Sequence, residues 1–174
     1  RNQTDPAIIK LALNQIGDLD KGIQQNLWLK INENGWNALM FTFRYQKDPD
    51  VITLALKQIY KLNPGIQQQL WLQNTKEGWN ALMSALRNQT DPAAITLVLN
   101  QIAEFDENIQ QKLFQGNTDG WWNALMTTLR YQTDSAVITL VLNQIAELDT
   151  GIQEKLWIQT DEGDWNTLKV ALHH

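Results

Sequence analysis

The stretch Gly35-Trp36-Asn37-Ala38-Leu39-Met40, GWNALM, returns as GWNALM at 78–83, as WWNALM at 121–126 and as DWNTLK at 164–169. Successive copies lie 43 residues apart, and an offset of 43 aligns the chain with itself as four units, 1–43, 44–86, 87–129 and 130–172. The first two units agree at 24 of 43 columns. A fixed period between about 20 and 50 residues marks a stacked array, in which one unit cannot cover its own apolar face and relies on its neighbours. No Pro-, Gly- or Ser-rich linker separates the units, so the repeat predicts one domain over 1–172.

Three helix starts recur in each unit. In the opening motif Asn37, Asn80, Asn123 and Asn166 stand where a side-chain oxygen caps the first free N–H groups of a helix, and Leu39, Met40 and Phe43 follow as its apolar face. Asp5-Pro6, Asp48-Pro49 and Asp91-Pro92 pair a capping carboxylate with proline at the first helical position, where a missing donor costs nothing; Asp134-Ser135 keeps the cap without the proline. Behind Asp5, residues Ile9, Ala12, Leu13 and Ile16 fall at i, i+3, i+4 and i+7, and Ile8, Leu11 and Leu19 widen the stripe. A helix apolar over so much of its circumference is expected to be sandwiched between others. The remaining start is Asp20, in register with Asn63, Asp106 and Asp149. These signals predict an all-α chain with about three helices per unit, over 6–19, 21–29 and 37–45 and their equivalents.

Composition removes several functions. The chain has no cysteine, and its two histidines, His173 and His174, read as the start of a purification tag outside the repeat. Triads, Cys/His metal sites and Gly-rich phosphate loops are therefore missing, and a catalytic role, a metal and a cofactor are not expected. Nineteen acidic against fourteen basic residues give a net charge of −5, which disfavours a phosphate backbone as partner. No apolar run approaches the roughly 20 residues of a membrane span and no signal-peptide pattern opens the chain, so it reads as soluble.

Gly78-Trp79-Asn80-Ala81-Leu82-Met83-Ser84-Ala85-Leu86-Arg87-Asn88, followed after a turn by Ala94-Ile95-Thr96-Leu97-Val98-Leu99, resembles the ankyrin repeat. The likeness recurs at 36–44 and 122–130 and more loosely at 165–172. Carried over, Gly78 takes the turn glycine, Asn80 the capping threonine, Ala81 the proline, Leu82 the core leucine and Met83 the histidine. The resemblance implies a right-handed solenoid of helix pairs with a short third helix added, because these units exceed the ankyrin length of about 33 residues. Armadillo and HEAT arrays, with units of about 40 to 47 residues, are the competing resemblance. Ankyrin-like arrays bind other proteins and occur among secreted bacterial effectors, which implies host-cell cytoplasm if this chain is one.

Trp36, Trp79, Trp122 and Trp165 share one column, and Trp28, Trp71, Phe114 and Trp157 another; sameness in every unit predicts packing between units, whereas recognition calls for variety. Trp121 breaks the pattern by replacing the glycine of Gly35 and Gly78, which makes it a hot-spot candidate. The varying positions are the loops 30–34, 73–77, 115–120 and 159–163, the column Phe41, Ser84, Thr127 and Val170, and the column Asn2, Tyr45, Asn88 and Tyr131. Trp121, Tyr45, Tyr131 and Phe41 are the expected anchors, with Ser84 and Thr127 beside them. Arg1, Arg44, Arg87 and Arg130 each precede a capping aspartate by four residues, which suggests an ion pair or a carbonyl contact to the next cap. The glutamine columns of Gln3, Gln15 and Gln24 are expected to satisfy loop carbonyls or neighbouring units. In the last unit Lys169 replaces a methionine and Thr167 an alanine, changes that suit a terminal outer face. Together these features point to a non-catalytic module that binds another protein or peptide along an extended surface. A designed or purely structural scaffold, and a single-stranded nucleic-acid binder using the aromatic ladder, are the alternatives.

Overall fold

Every start signal delivers a helix. The computed structural model describes residues 5–116, 122–161 and 163–173, and among them it has twelve α-helices and no strand, bearing out the all-α class. They are α1 (Pro6–Gly17), α2 (Lys21–Leu29), α3 (Ala38–Tyr45), α4 (Pro49–Tyr60), α5 (Pro64–Leu72), α6 (Ala81–Asn88), α7 (Pro92–Ala103), α8 (Glu107–Gln115), α9 (Ala124–Tyr131), α10 (Ser135–Ala146), α11 (Thr150–Ile158) and α12 (Thr167–His173). The long helix stops at Gly17, short of the expected 19, because the Leu19 amide turns back onto the Ile16 carbonyl at 3.1 Å.

The caps act as their residue types predict. Asp5, Asp48, Asp91 and Asp134 each accept from the backbone N–H two residues on, at 2.8 to 2.9 Å. Asp20, Asn63 and Asp149 do the same for the second helix of their units. Asn37, Asn80, Asn123 and Asn166 accept from the N–H three residues on, at 2.8 to 3.0 Å.

Each helix packs on its counterpart 43 residues later. α1 meets α4, α4 meets α7 and α7 meets α10; the rows α2, α5, α8, α11 and α3, α6, α9, α12 are built the same way. One contiguous apolar core runs through these contacts from Trp28 to Leu156. Burial gives each column a direction. Leu70, Leu113 and Leu156 are buried while Leu27 is exposed, so that column faces the preceding unit. Leu39, Leu82 and Leu125 are buried while Leu168 is exposed, so that column faces the following one. The sandwiching expected of the long helix holds for α4 and α7, each with six buried residues, and fails for α1, which has none. Ile8 and Leu11 of α1 are exposed because no unit precedes them in the described chain.

Polar side chains repeat across the same seams. The amide of each capping asparagine donates to a second-helix carbonyl of the next unit: Asn37 to Leu70, Asn80 to Leu113 and Asn123 to Leu156, all at 2.8 Å. Those carbonyls lie in the last turn of their helices, where no intrahelical N–H reaches them. An asparagine can both accept from its own helix and donate to the next unit, which an ionised aspartate cannot. The Gln89 amide donates to the carbonyls of Phe43 and, at 2.8 Å, Gln46; that of Gln132 donates to Leu86 and, at 2.7 Å, Gln89. Gln24, Gln67, Gln110 and Gln153 each clamp two carbonyls at the end of their own long helix. Both roles expected of the glutamines are thus present. Burial lowers the pKa of Lys47 from its ordinary value, and its ammonium donates to the Asn88 carbonyl of the following unit.

Candidate functional site

The turn before each opening motif presents the tryptophan. Asn32, Thr75 and Asp161 each accept with a side-chain oxygen from the backbone N–H of the tryptophan four residues on, at 3.0 to 3.1 Å. The same turn carries a left-handed residue: Gly35 at φ 83°, Gly78 at φ 79° and Asp164 at φ 58°. At Gly35 glycine is also required by space, since a Cβ would lie 2.9 Å from the Asn74 carbonyl oxygen of the next loop. The turn leaves Trp36, Trp79, Trp122 and Trp165 half-buried beside the third-helix row.

Over these rings lie the arginines. The guanidinium carbon of Arg44 is 4.7 Å from the centre of the Trp36 ring, Arg87 is 4.8 Å from Trp79, and Arg130 is 4.8 Å from Trp122. Tyr131 joins two of these pairs, 4.8 Å from Arg87 and 6.1 Å from Trp122 between ring centres. Arg44 also overlies Tyr45 at 5.4 Å, and Tyr45 stacks on Phe41 at 5.8 Å. The arginine column was expected to tie helix ends to the next cap; Arg1 lies outside the described residues, and Arg44, Arg87 and Arg130 lie against aromatic faces, contacts worth about 0.5 to 1 kcal/mol each at an exposed site. Stacking occupies the flat face of a guanidinium and directs its N–H edge away from the ring, where it suits carboxylate or carbonyl oxygens. Beside this row a cleft of about 150 Å³ opens between Trp79 and Trp122, floored by Met83 and edged by Glu77 and Gly78.

His173 continues the column. It stands 43 residues after Arg130, and its ring lies perpendicular to that of Trp165 with centres 4.9 Å apart, in the place an arginine takes in the other units.

The predicted anchors separate. Tyr45 and Tyr131 belong to the arginine and tryptophan row, and Phe41 touches it through Trp36 at 5.8 Å and Tyr45. Ser84 and Thr127 do not: both are buried, at 1% and 0% exposure. The Ser84 hydroxyl donates to the Met40 carbonyl of the preceding unit, and that of Thr127 to the Asn123 carbonyl. Their column faces the preceding unit, and Phe41, in the first unit, is 36% exposed. Trp121 lies outside the described residues. Thr167, read as an outer-face change, is also buried and donates to the Leu156 carbonyl at 2.5 Å, whereas Lys169 does stand on the outer face. Trp28, Trp71 and Phe114 are buried in the core as their sameness suggested, and Trp157 is exposed at the last unit.

Among the described residues no group of three or more His, Asp or Glu side chains could hold a metal ion, and no helix is long and apolar enough to cross a membrane. No protein-family model matches the chain, and no curated protein matches it.

Proposed function

We propose that the four units form a right-handed helical solenoid over 1–172, ankyrin-like in its third and first helices and lengthened by the second, and that it acts as a non-catalytic binding module for another protein or peptide. The single observation that carries this reading is the row of exposed arginines Arg44, Arg87 and Arg130 held over Trp36, Trp79 and Trp122 along α3, α6 and α9. Ring contacts hold long side chains that are otherwise costly to order, so a partner meeting them loses little conformational entropy. Arginine and aromatic residues are also the types that dominate binding energy at protein interfaces. The ankyrin likeness draws support from α3 packing on α4, α6 on α7 and α9 on α10, the order in which such a unit joins its helices.

Selection of displayed peptides on the immobilised chain tests the proposal. Peptides are expected to be recovered whose binding falls at least about tenfold on Arg44→Ala/Arg87→Ala, with a single cooperative thermal transition retained. Peptides indifferent to that pair of substitutions would place binding elsewhere. Capture of an oligothymidylate with a steep salt dependence would favour the nucleic-acid alternative instead.

A further inference from the structure

Each arginine of the row touches two rings. Arg87 is 4.8 Å from both Trp79 and Tyr131, Arg44 is 4.7 Å from Trp36 and 5.4 Å from Tyr45, and Arg130 is 4.8 Å from Trp122 and 5.8 Å from Tyr131. Ring contacts fix a guanidinium in place without using any of its N–H donors. Arg44 and Arg87 are exposed, and among the described residues neither donates a hydrogen bond or enters an ion pair. Asp48, four residues after Arg44, pairs instead with Lys10 at 3.9 Å. Lys47 adds a further cation to the row, its ammonium on the Asn88 carbonyl at the end of α6. In a chain of net charge −5 this positive strip runs against the charge of the whole, and it is complementary to an anion.

The layout selects among anions. One arginine per unit neutralises one carboxylate per unit, whereas a phosphoryl group, with nearly two charges, calls for several cations around one point. The fork of a guanidinium also matches the two oxygens of a carboxylate. Spacing follows from the helices. α3 packs on α6 and α6 on α9, and packed helix axes lie about 8 to 10 Å apart, so corresponding arginines advance by about that much. An extended chain in the polyproline II form rises about 3.1 Å per residue and returns to the same face every third residue, a step of about 9 Å. On the reading of this row as the binding surface, we propose that its partner is an extended acidic segment with Asp or Glu three residues apart, one carboxylate on Arg44 and the next on Arg87. The residues between the acids pass beside the tryptophans. There the cleft floored by Met83 and edged by Glu77 suits a neutral side chain and repels a further acid.

Fluorescence anisotropy on the full chain tests this with a labelled peptide of three Glu-Pro-Pro triplets, whose prolines hold the extended form. Its controls are the same residues with the glutamates in one block, and three Gln-Pro-Pro triplets. The glutamate triplets are expected to bind at least about tenfold more tightly than either control, and to lose at least about tenfold on Arg44→Ala/Arg87→Ala. Equal binding of the block peptide would mean that charge is read without spacing, and equal binding of the glutamine triplets that charge is not read; either overturns the proposal. So does a lack of binding by the glutamate triplets up to about 1 mM. An oligothymidylate that binds the row more tightly than the glutamate triplets would assign it to phosphates and overturn the proposal as well. In the peptide selection, arginine-dependent peptides without acidic residues would overturn this partner and leave the binding row standing, whereas peptides indifferent to the arginines would overturn both.

Discussion

Trp71 and Trp157 occupy one column and share a helix register, yet the first is 0% and the second 42% exposed. The same contrast separates Leu82 from Leu168, Ala55 from Ala12 and Ser84 from Phe41. In three of these four pairs the two residues are identical; what differs is whether a neighbouring unit covers them. Inner and end units thus show that a position's exposure here belongs to the seam rather than to the residue. Variation along a column then needs care. Phe41, Ser84, Thr127 and Val170 vary as recognition residues do, but three of the four are buried in a joint. They vary because each seam is packed by its own set.

Substitutions made in pairs, one inner and one terminal, sharpen that contrast. The largest effect is expected at Trp71, which packs against Phe43 at 5.8 Å and Phe105 at 6.4 Å. Trp71→Ala should remove about 3 to 5 kcal/mol of stability in urea unfolding, and Trp157→Ala less than about half of that. Next comes the asparagine pair. Asn80→Asp keeps a cap but loses the donor to Leu113 and buries a carboxylate, a loss of about 2 to 3 kcal/mol, whereas Asn166→Asp should stay within about 0.5 kcal/mol. Equal losses in either pair would mean that the seams do not carry the stability.

Gln58 and Gln101 give a smaller and more pointed comparison. The Gln58 amide donates to the Leu13 carbonyl, while both amide atoms of Gln101 are buried without a partner. Gln58→Leu should lose about 1 kcal/mol, and Gln101→Leu should be neutral or stabilising in the same unfolding measurement. The smallest net effect is expected at the exposed Arg87, where alanine should lose no more than about 0.5 kcal/mol in all, since Trp79 and Tyr131 keep their contact with each other at 6.2 Å. A thermal scan showing a much larger loss would make this arginine a structural strut rather than a surface group.

The helices were legible because their signals are local. Asp-Pro pairs, asparagine caps and i, i+4 spacing act within one turn, so α2 and α5 fall on their expected residues and α1 differs only at its end. Direction was not legible. A repeated leucine announces burial but not by which neighbour, so α1 was expected to be covered on both sides, and Thr167 was assigned to the wrong face. Asparagine was recognised as a cap; its second bond, 33 residues away, has no local trace. The arginine and tryptophan contacts were hidden for the same reason. Arg44 and Trp36 stand eight residues apart across a helix start, and a charge four residues before an aspartate suggests the simpler pair.

Amide hydrogen exchange, resolved by residue, tests most directly whether each unit is held by its neighbours. If the seams hold the chain, amides of α6, packed between α3 and α9, should exchange at least about tenfold more slowly than those of α1, which buries no side chain. Protection as strong in α1 as in α6 would contradict the account, because it would mean that each unit is stable without the neighbour it lacks.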